Sequence, residues 1–157
     1  MKTYSKILRF PFIALGMIVF ILSSCDGGHQ IDYNLKTTFI YKNLTSENIE
    51  IILFNQEGVN FNQFIIKPNE DTKIIISGDG PKTGINKPFW MNSSSNIATK
   101  VIVKFLSTNK CLTFLEGEGL LNEKLYDNFS ESMYNTSNNT LIYNIDSQEL
   151  DLATPCL

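Results

Sequence analysis

Residues 36–157 read as an all-β domain: an antiparallel β-sandwich of immunoglobulin-like type, with about seven strands and a short C-terminal helical turn. Three observations predict it. Runs rich in β-branched and aromatic residues recur about every 12 residues over the first half. Turn-forming clusters (LTSE, QEG, PNED, STNK and GEG) stand between or after them. The best-patterned run, NIEIILFN, puts Ile49, Ile51 and Leu53 on one face and Glu50 on the other, the two-residue period of a half-buried strand. Turns this short join antiparallel neighbours, and several short strands at even spacing favour a sandwich.

Taken in order, the strands are expected at 36–43, 48–55, 60–67 and 72–77. The last of these, TKIIIS, is apolar through its centre and is expected to be well buried. Residues 78–98 read as loop. Residues 99–106 and 111–116 form a hairpin, with Val101, Val103 and Phe105 on one face and Ile102 and Lys104 on the other. Residues 120–138 are expected to be irregular, with at most one helical turn. The final strand is 140–146. Asp146 or Ser147 then caps a helical turn over QELDLA, which Pro155 ends.

The N-terminal segment carries a separate message. Lys2, Lys6 and Arg9 precede any acidic residue, and an apolar block runs from Phe10 to Leu22. Charge followed by a short apolar block is the layout of a secretory signal. The block is too short for a membrane span, which needs about 20 apolar residues. It closes on Leu22-Ser23-Ser24-Cys25, which resembles the bacterial lipobox. That resemblance implies thioether attachment of a diacylglyceryl group to Cys25, cleavage before it, and acylation (palmitate or a similar chain) of the new amino terminus. The alternatives are an uncleaved anchor, or an ordinary cleaved signal with an incidental cysteine. Each buried acyl CH₂ adds about 0.8 kcal/mol of membrane affinity, and two or more chains make attachment stable. The chain thus divides into a signal peptide (1–24), a lipidated tether (25–35) and one β-domain (36–157). A flexible tether of about ten residues spans roughly 17 Å, which keeps the domain close to the membrane.

Loss of the signal removes three cations and moves the formal net charge from −3 to −6, leaving ten lysines and no arginine against sixteen acidic residues. Such a surface disfavours nucleic-acid binding and repels an anionic leaflet, so the lipid must do the anchoring. Five Asn-x-Ser/Thr sequons begin at Asn43, Asn92, Asn128, Asn135 and Asn138; in a bacterial host they are not expected to carry eukaryotic-type glycans. Besides Cys25, only Cys111 and Cys156 remain. In an exported protein they read as one disulfide, with two buried free thiols or a reactive pair as alternatives.

The order of lipobox, NLTSENIEIILFN, FIIKPNED, VIVKFLSTNKCL and YNIDSQELDLATPC resembles the small uncharacterised lipoproteins of Bacteroidetes. The resemblance covers most of residues 22–157 and implies a surface- or periplasm-facing lipoprotein with an all-β domain, without implying an activity.

No set of residues in the sequence reads as catalytic, cofactor-binding or metal-ligating. The one histidine, His29, lies in the tether, so histidine-dependent nucleophilic catalysis and ordinary zinc sites lack their central group. GDGPKTG (78–84) lacks the Gly-Lys-Ser/Thr ending of a phosphate loop and reads as a plain loop. Glu116 and Glu118 flank a glycine and read as a solvated hairpin tip, which leaves a carboxylate-only enzyme as a remote reading; weak calcium binding stays open. PFWMN (88–92) offers Phe89 and Trp90, either as exposed ligand contacts or as a flap completing the core. The expected function is therefore a lipid-anchored, non-enzymatic domain of the bacterial cell envelope, at the outer membrane, that binds or scaffolds another envelope component, an unknown protein or glycan. The alternative is a glycan-binding module using Phe89 and Trp90.

Overall fold

The computed structural model describes residues 33–80, 85–90, 97–132 and 138–156. Residues 1–24, read as a signal peptide, and Cys25 and His29 lie outside the described residues. Eight strands form two sheets: β1 (Tyr33–Asn43), β2 (Ile49–Phe54), β3 (Asn60–Ile66), β4 (Asp71–Gly80), β5 (Lys100–Phe105), β6 (Lys110–Leu115), β7 (Asn138–Ile145) and β8 (Thr154–Pro155). One helix, α1 (Ser147–Leu152), stands before β8. One sheet has the order β4-β1-β7 and the other β3-β2-β5-β6-β8. The predicted β-sandwich is present. β1 starts at Tyr33, inside the segment read as tether.

The sheets pack face to face because each strand alternates. Phe39 and Tyr41 of β1 and Leu141 and Ile145 of β7 join Ile49, Ile51 and Leu53 of β2 and Val101, Val103 and Phe105 of β5 in one buried cluster. β1 pairs with β4 in one sheet and β2 with β5 in the other, and the chain changes sheet after β1, β3, β4, β6 and β7. All pairings are antiparallel except β1 with β7, which is parallel. β6 ends, and β7 begins, at the end of the sandwich where β1 begins; β7 therefore runs beside β1 in the same direction after the chain has passed through both sheets.

TKIIIS corrects one expectation. These residues sit in β4, an edge strand, with Ile74 half-buried, Ile75 49% exposed and Ile76 alone fully inside. Consecutive strand residues point to opposite faces, so three isoleucines in a row cannot all enter a two-layer core. The ambiguous stretch 120–138 contains two short 3₁₀ turns, Gly119–Leu121 and Glu123–Leu125. At Gly119, with φ +41°, a Cβ would stand 2.2 Å from the Phe114 ring, so only glycine lets this turn lie on β6.

The registers place the β1–β2, β3–β4 and β5–β6 connections at one end of the sandwich, together with α1 and β8. That end is closed by polar side chains. Asn43, fully buried, donates its amide to the Glu47 and Ile66 carbonyls and accepts from the Thr45 N–H and hydroxyl. The buried Glu47 carboxylate accepts from the Ser107 and Thr108 N–H groups at 2.7 and 3.0 Å. Without these acceptors the hairpin turn would hold unpaired donors, each costing about 1–3 kcal/mol.

Helix α1 starts with a capping box. Asp146 accepts from the Gln148 N–H, and Glu149 accepts from the Asp146 N–H at 2.9 Å. The Glu149 carboxyl is also bonded to Tyr143, and burial pushes it above its ordinary 4.5. The tail then pairs Cys111 of β6 with Thr154, and a disulfide joins Cys111 to Cys156 with Cα atoms 5.1 Å apart.

Two predictions follow from this end. The disulfide closes a separation of 45 residues, worth at most about 4 kcal/mol of constraint on the unfolded chain. The Cys111→Ala/Cys156→Ala variant should therefore melt on the order of 10 °C lower; an unchanged melting temperature would show that the bond contributes no stability. Because the Glu149 carboxyl is raised on folding, its contribution is fully present below 4.5 and is lost as pH rises through the folded value. Urea titrations should show the native chain losing stability relative to Glu149→Gln as pH rises above 4.5; the reverse trend would contradict the assignment.

Candidate functional site

The opposite end of the sandwich gathers the β2–β3 turn, the segment 85–90, residues 97–99 and the end of β6. Segment 85–90 is held by two buried anchors. The Asn86 side chain ties β1 to β4, donating to the Leu35 and Ile76 carbonyls at 2.9 and 3.0 Å. The Asn86 N–H donates to the Thr37 hydroxyl at 3.0 Å. Three residues on, Phe89 takes a left-handed φ of +56° and is fully buried. A bulky residue in this region costs about 1–3 kcal/mol and persists only where its surroundings impose it.

Those surroundings are aromatic. The Phe89 ring stacks on Tyr41 with centroids 4.7 Å apart and lies 6.5 Å from Phe64. Tyr41 in turn meets Tyr126 edge-on at 6.1 Å, and the two hydroxyls are 3.1 Å apart. The Tyr126 hydroxyl donates to the Leu120 carbonyl. Burial pushes both phenols well above the ordinary phenol range, so they stay neutral. They serve packing, as satisfied polar groups inside the core.

The residue after Phe89 is turned outward. Trp90 is 37% exposed and bridges to Ile97. Below it lies an open cleft of about 780 Å³, lined by Asn55, Gln56, Glu57, Ile85, Lys87, Trp90, Ile97, Thr99 and Glu116. Ile85, Ile97 and Trp90 supply the apolar surface, and the other six supply amides, a hydroxyl and charges. Lys87 and Glu116 pair at 3.0 Å; both are exposed, so the pair adds only about 0–1 kcal/mol. A second hollow of about 340 Å³ shares Lys87, Ile97 and Glu116 with the first and continues toward Asn122 and Lys124. A volume of this size lies within the usual range for small-molecule sites.

Phe89 must be corrected as a ligand contact. Its ring is core, because the fold gains more from stacking it on Tyr41 than from leaving it in water. Trp90 alone of the predicted pair reaches the cleft. Glu118 accepts from the Leu115 N–H and shapes its own turn, while Glu116 points to Lys87, so the two acids do not work as a pair. Of GDGPKTG, Gly78–Gly80 belongs to β4 and residues 81–84 lie outside the described residues. Met91 of PFWMN also lies outside them. Among the described residues no three His, Cys, Asp or Glu side chains come together as a metal site. Sequence reasoning missed Ile85, Lys87, Ile97 and Thr99. They come from distant segments, and only their convergence marks them. Gln56 and Glu57 were legible as a turn, without a sign that it faces Trp90.

Comparison with family models, curated proteins and solved structures returns no match for this chain. The site therefore stands on its own geometry.

The neighbouring aromatics make a paired prediction. Phe89→Ala should lower stability by about 3–5 kcal/mol, as for other buried phenylalanines. Trp90→Ala should cost roughly 2 kcal/mol less, because part of its ring is already in water. Urea unfolding followed by circular dichroism measures both, and equal costs would reject the inward–outward division.

Proposed function

We propose that this chain is a bacterial envelope lipoprotein whose β-domain is a non-enzymatic binding or scaffolding module, held at the outer membrane through Cys25. The observation that carries this reading is the passage from a positive start through an apolar block to Leu22-Ser23-Ser24-Cys25. A thiol at that point is the nucleophile that lipid attachment needs.

Three further features support it. A disulfide between Cys111 and Cys156 suits an exported domain in an oxidising compartment. The net acidic mature chain has no electrostatic hold on an anionic leaflet, so anchoring falls to the acyl chains. The phenols of Tyr41, Tyr126 and Tyr143, pushed well up, and the Glu149 carboxyl, pushed up, lie outside the cleft lining, and burial is the first cause of each shift. That distribution favours recognition over acid–base chemistry.

Cys25→Ser should abolish incorporation of an alkyne-palmitate label and move the protein from the membrane pellet to the soluble fraction. Unchanged sedimentation together with unlabelled native protein would defeat the anchor.

A further inference from the structure

We infer that the cleft beneath Trp90 is a binding site for a neutral, hydroxyl-rich chain, namely an oligosaccharide. The inference deepens the preceding proposal and rests on its reading of the domain as a binding module.

The chemistry of the lining selects this class. Trp90 lines the cleft and is 37% exposed, with its backbone set by the buried Phe89 beside it and by the bridge to Ile97. A flat aromatic ring suits the C–H face of a sugar ring, an apolar plane edged by hydroxyls. Around it stand the groups that hydroxyls need: Gln56 and Asn55 amides, the Thr99 hydroxyl, and the Glu57 and Glu116 carboxylates. A purely apolar ligand would cover these polar groups without partners, at about 1–3 kcal/mol each. An anionic ligand would meet two carboxylates against the single Lys87 ammonium, which Glu116 already neutralises at 3.0 Å. A neutral polar ligand meets neither obstacle.

The shape points to a chain over a single ring. The two hollows adjoin through Lys87, Ile97 and Glu116, and the second is edged by Asn122, Glu123 and Lys124. A ligand stacked on Trp90 could extend past the Lys87–Glu116 pair into the second hollow, where further amide and charged groups wait. Both hollows open to solvent, so a ligand need not thread a closed tunnel to enter.

Trp90 is the protein's one tryptophan, so emission under tryptophan-selective excitation, which leaves the six tyrosines dark, reports this cleft. The full chain in detergent would be titrated with neutral hexasaccharides (maltohexaose, cellohexaose, hexa-N-acetylchitohexaose, xylohexaose and mannohexaose) to about 10 mM, which detects dissociation constants near 1 mM. The expected result is a saturable emission change with at least one of them, insensitive to salt because no net charge is neutralised. Retention on that glycan immobilised on resin should vanish in Trp90→Ala and weaken about fivefold in Gln56→Ala and in Thr99→Val. Silence across the panel, or binding of anionic saccharides alone, overturns the inference. Envelope extracts separate its failure from that of the broader proposal. Trp90-dependent capture of a protease-sensitive, periodate-resistant component would end the carbohydrate assignment and leave the binding module standing. Capture unchanged by Trp90→Ala would remove the cleft from both.

Discussion

The stacking of Phe89 on Tyr41 is the contact on which the open end of the molecule depends. Tyr41 lies in the middle strand of the smaller sheet and is fully enclosed. With Phe39, Phe64 and Tyr126 it forms an aromatic cluster that only a ring from the segment between β4 and β5 completes. Seating that ring forces Phe89 into a left-handed backbone, and the turn sends Trp90 the other way. Without the stack the segment would keep one anchor, Asn86, and Trp90 would lose its fixed direction. The exposed aromatic is thus a consequence of the buried one, and the strain at Phe89 is offset by burial of the ring beside it.

The two ends of the sandwich do different physical work. At one, Asn43 and Glu47 satisfy the backbone at three chain reversals, and the disulfide binds β8 to the edge of the larger sheet. This end is organised to have no loose polar groups, as a tight corner requires. At the other, a turn, a pegged segment and the end of a hairpin meet around a concavity whose polar side chains face solvent. Loops carried on a rigid scaffold are where binding is commonly placed. Closing one end so thoroughly lets the other stay open, because stability does not have to come from filling the cleft. The single parallel pair, β1 with β7, belongs to the same arrangement. The chain between β6 and β7 starts and finishes at the cleft end, and on the way Asp127 and Asn128 lie along the outer edge of β7, where the Asp127 N–H donates to the Ile142 carbonyl and the Asn128 side chain accepts from the Ile142 N–H.

Much of the fold was legible in the sequence because strand formation rests on a local signal. Alternation in NIEIILFN and TKVIVKFL reports which face meets a core, and Asn-rich or Gly-containing turns report where the chain reverses. The helical turn after Asp146 was legible for the same reason, since a capping box is complete within four residues. TKIIIS was misread because hydrophobicity counts residues, while burial depends on which sheet position the strand takes. An edge strand shows one row of side chains to solvent whatever their polarity. The two-residue strand β8 had no signal at all, since Thr154 and Pro155 become a strand only through pairing with β6.

What the sequence by itself determined is what lies within a few residues: strands, turns, the cap, the lipobox-like segment, and the pair of cysteines available for bonding. What only the tertiary structure decided is which of two adjacent aromatics faces inward, and which distant side chains share a cleft. Phe89 and Trp90 have equal claims as a dipeptide, and the choice falls on the ring that fits against Tyr41, nearly fifty positions earlier in the chain. Gln56, Lys87, Thr99 and Glu116 likewise meet only because three chain reversals bring their segments to one end of two packed sheets. Local patterns follow from the periodicity of the backbone, whereas a site follows from shape complementarity between faces, and no short stretch of sequence contains both partners of such a contact.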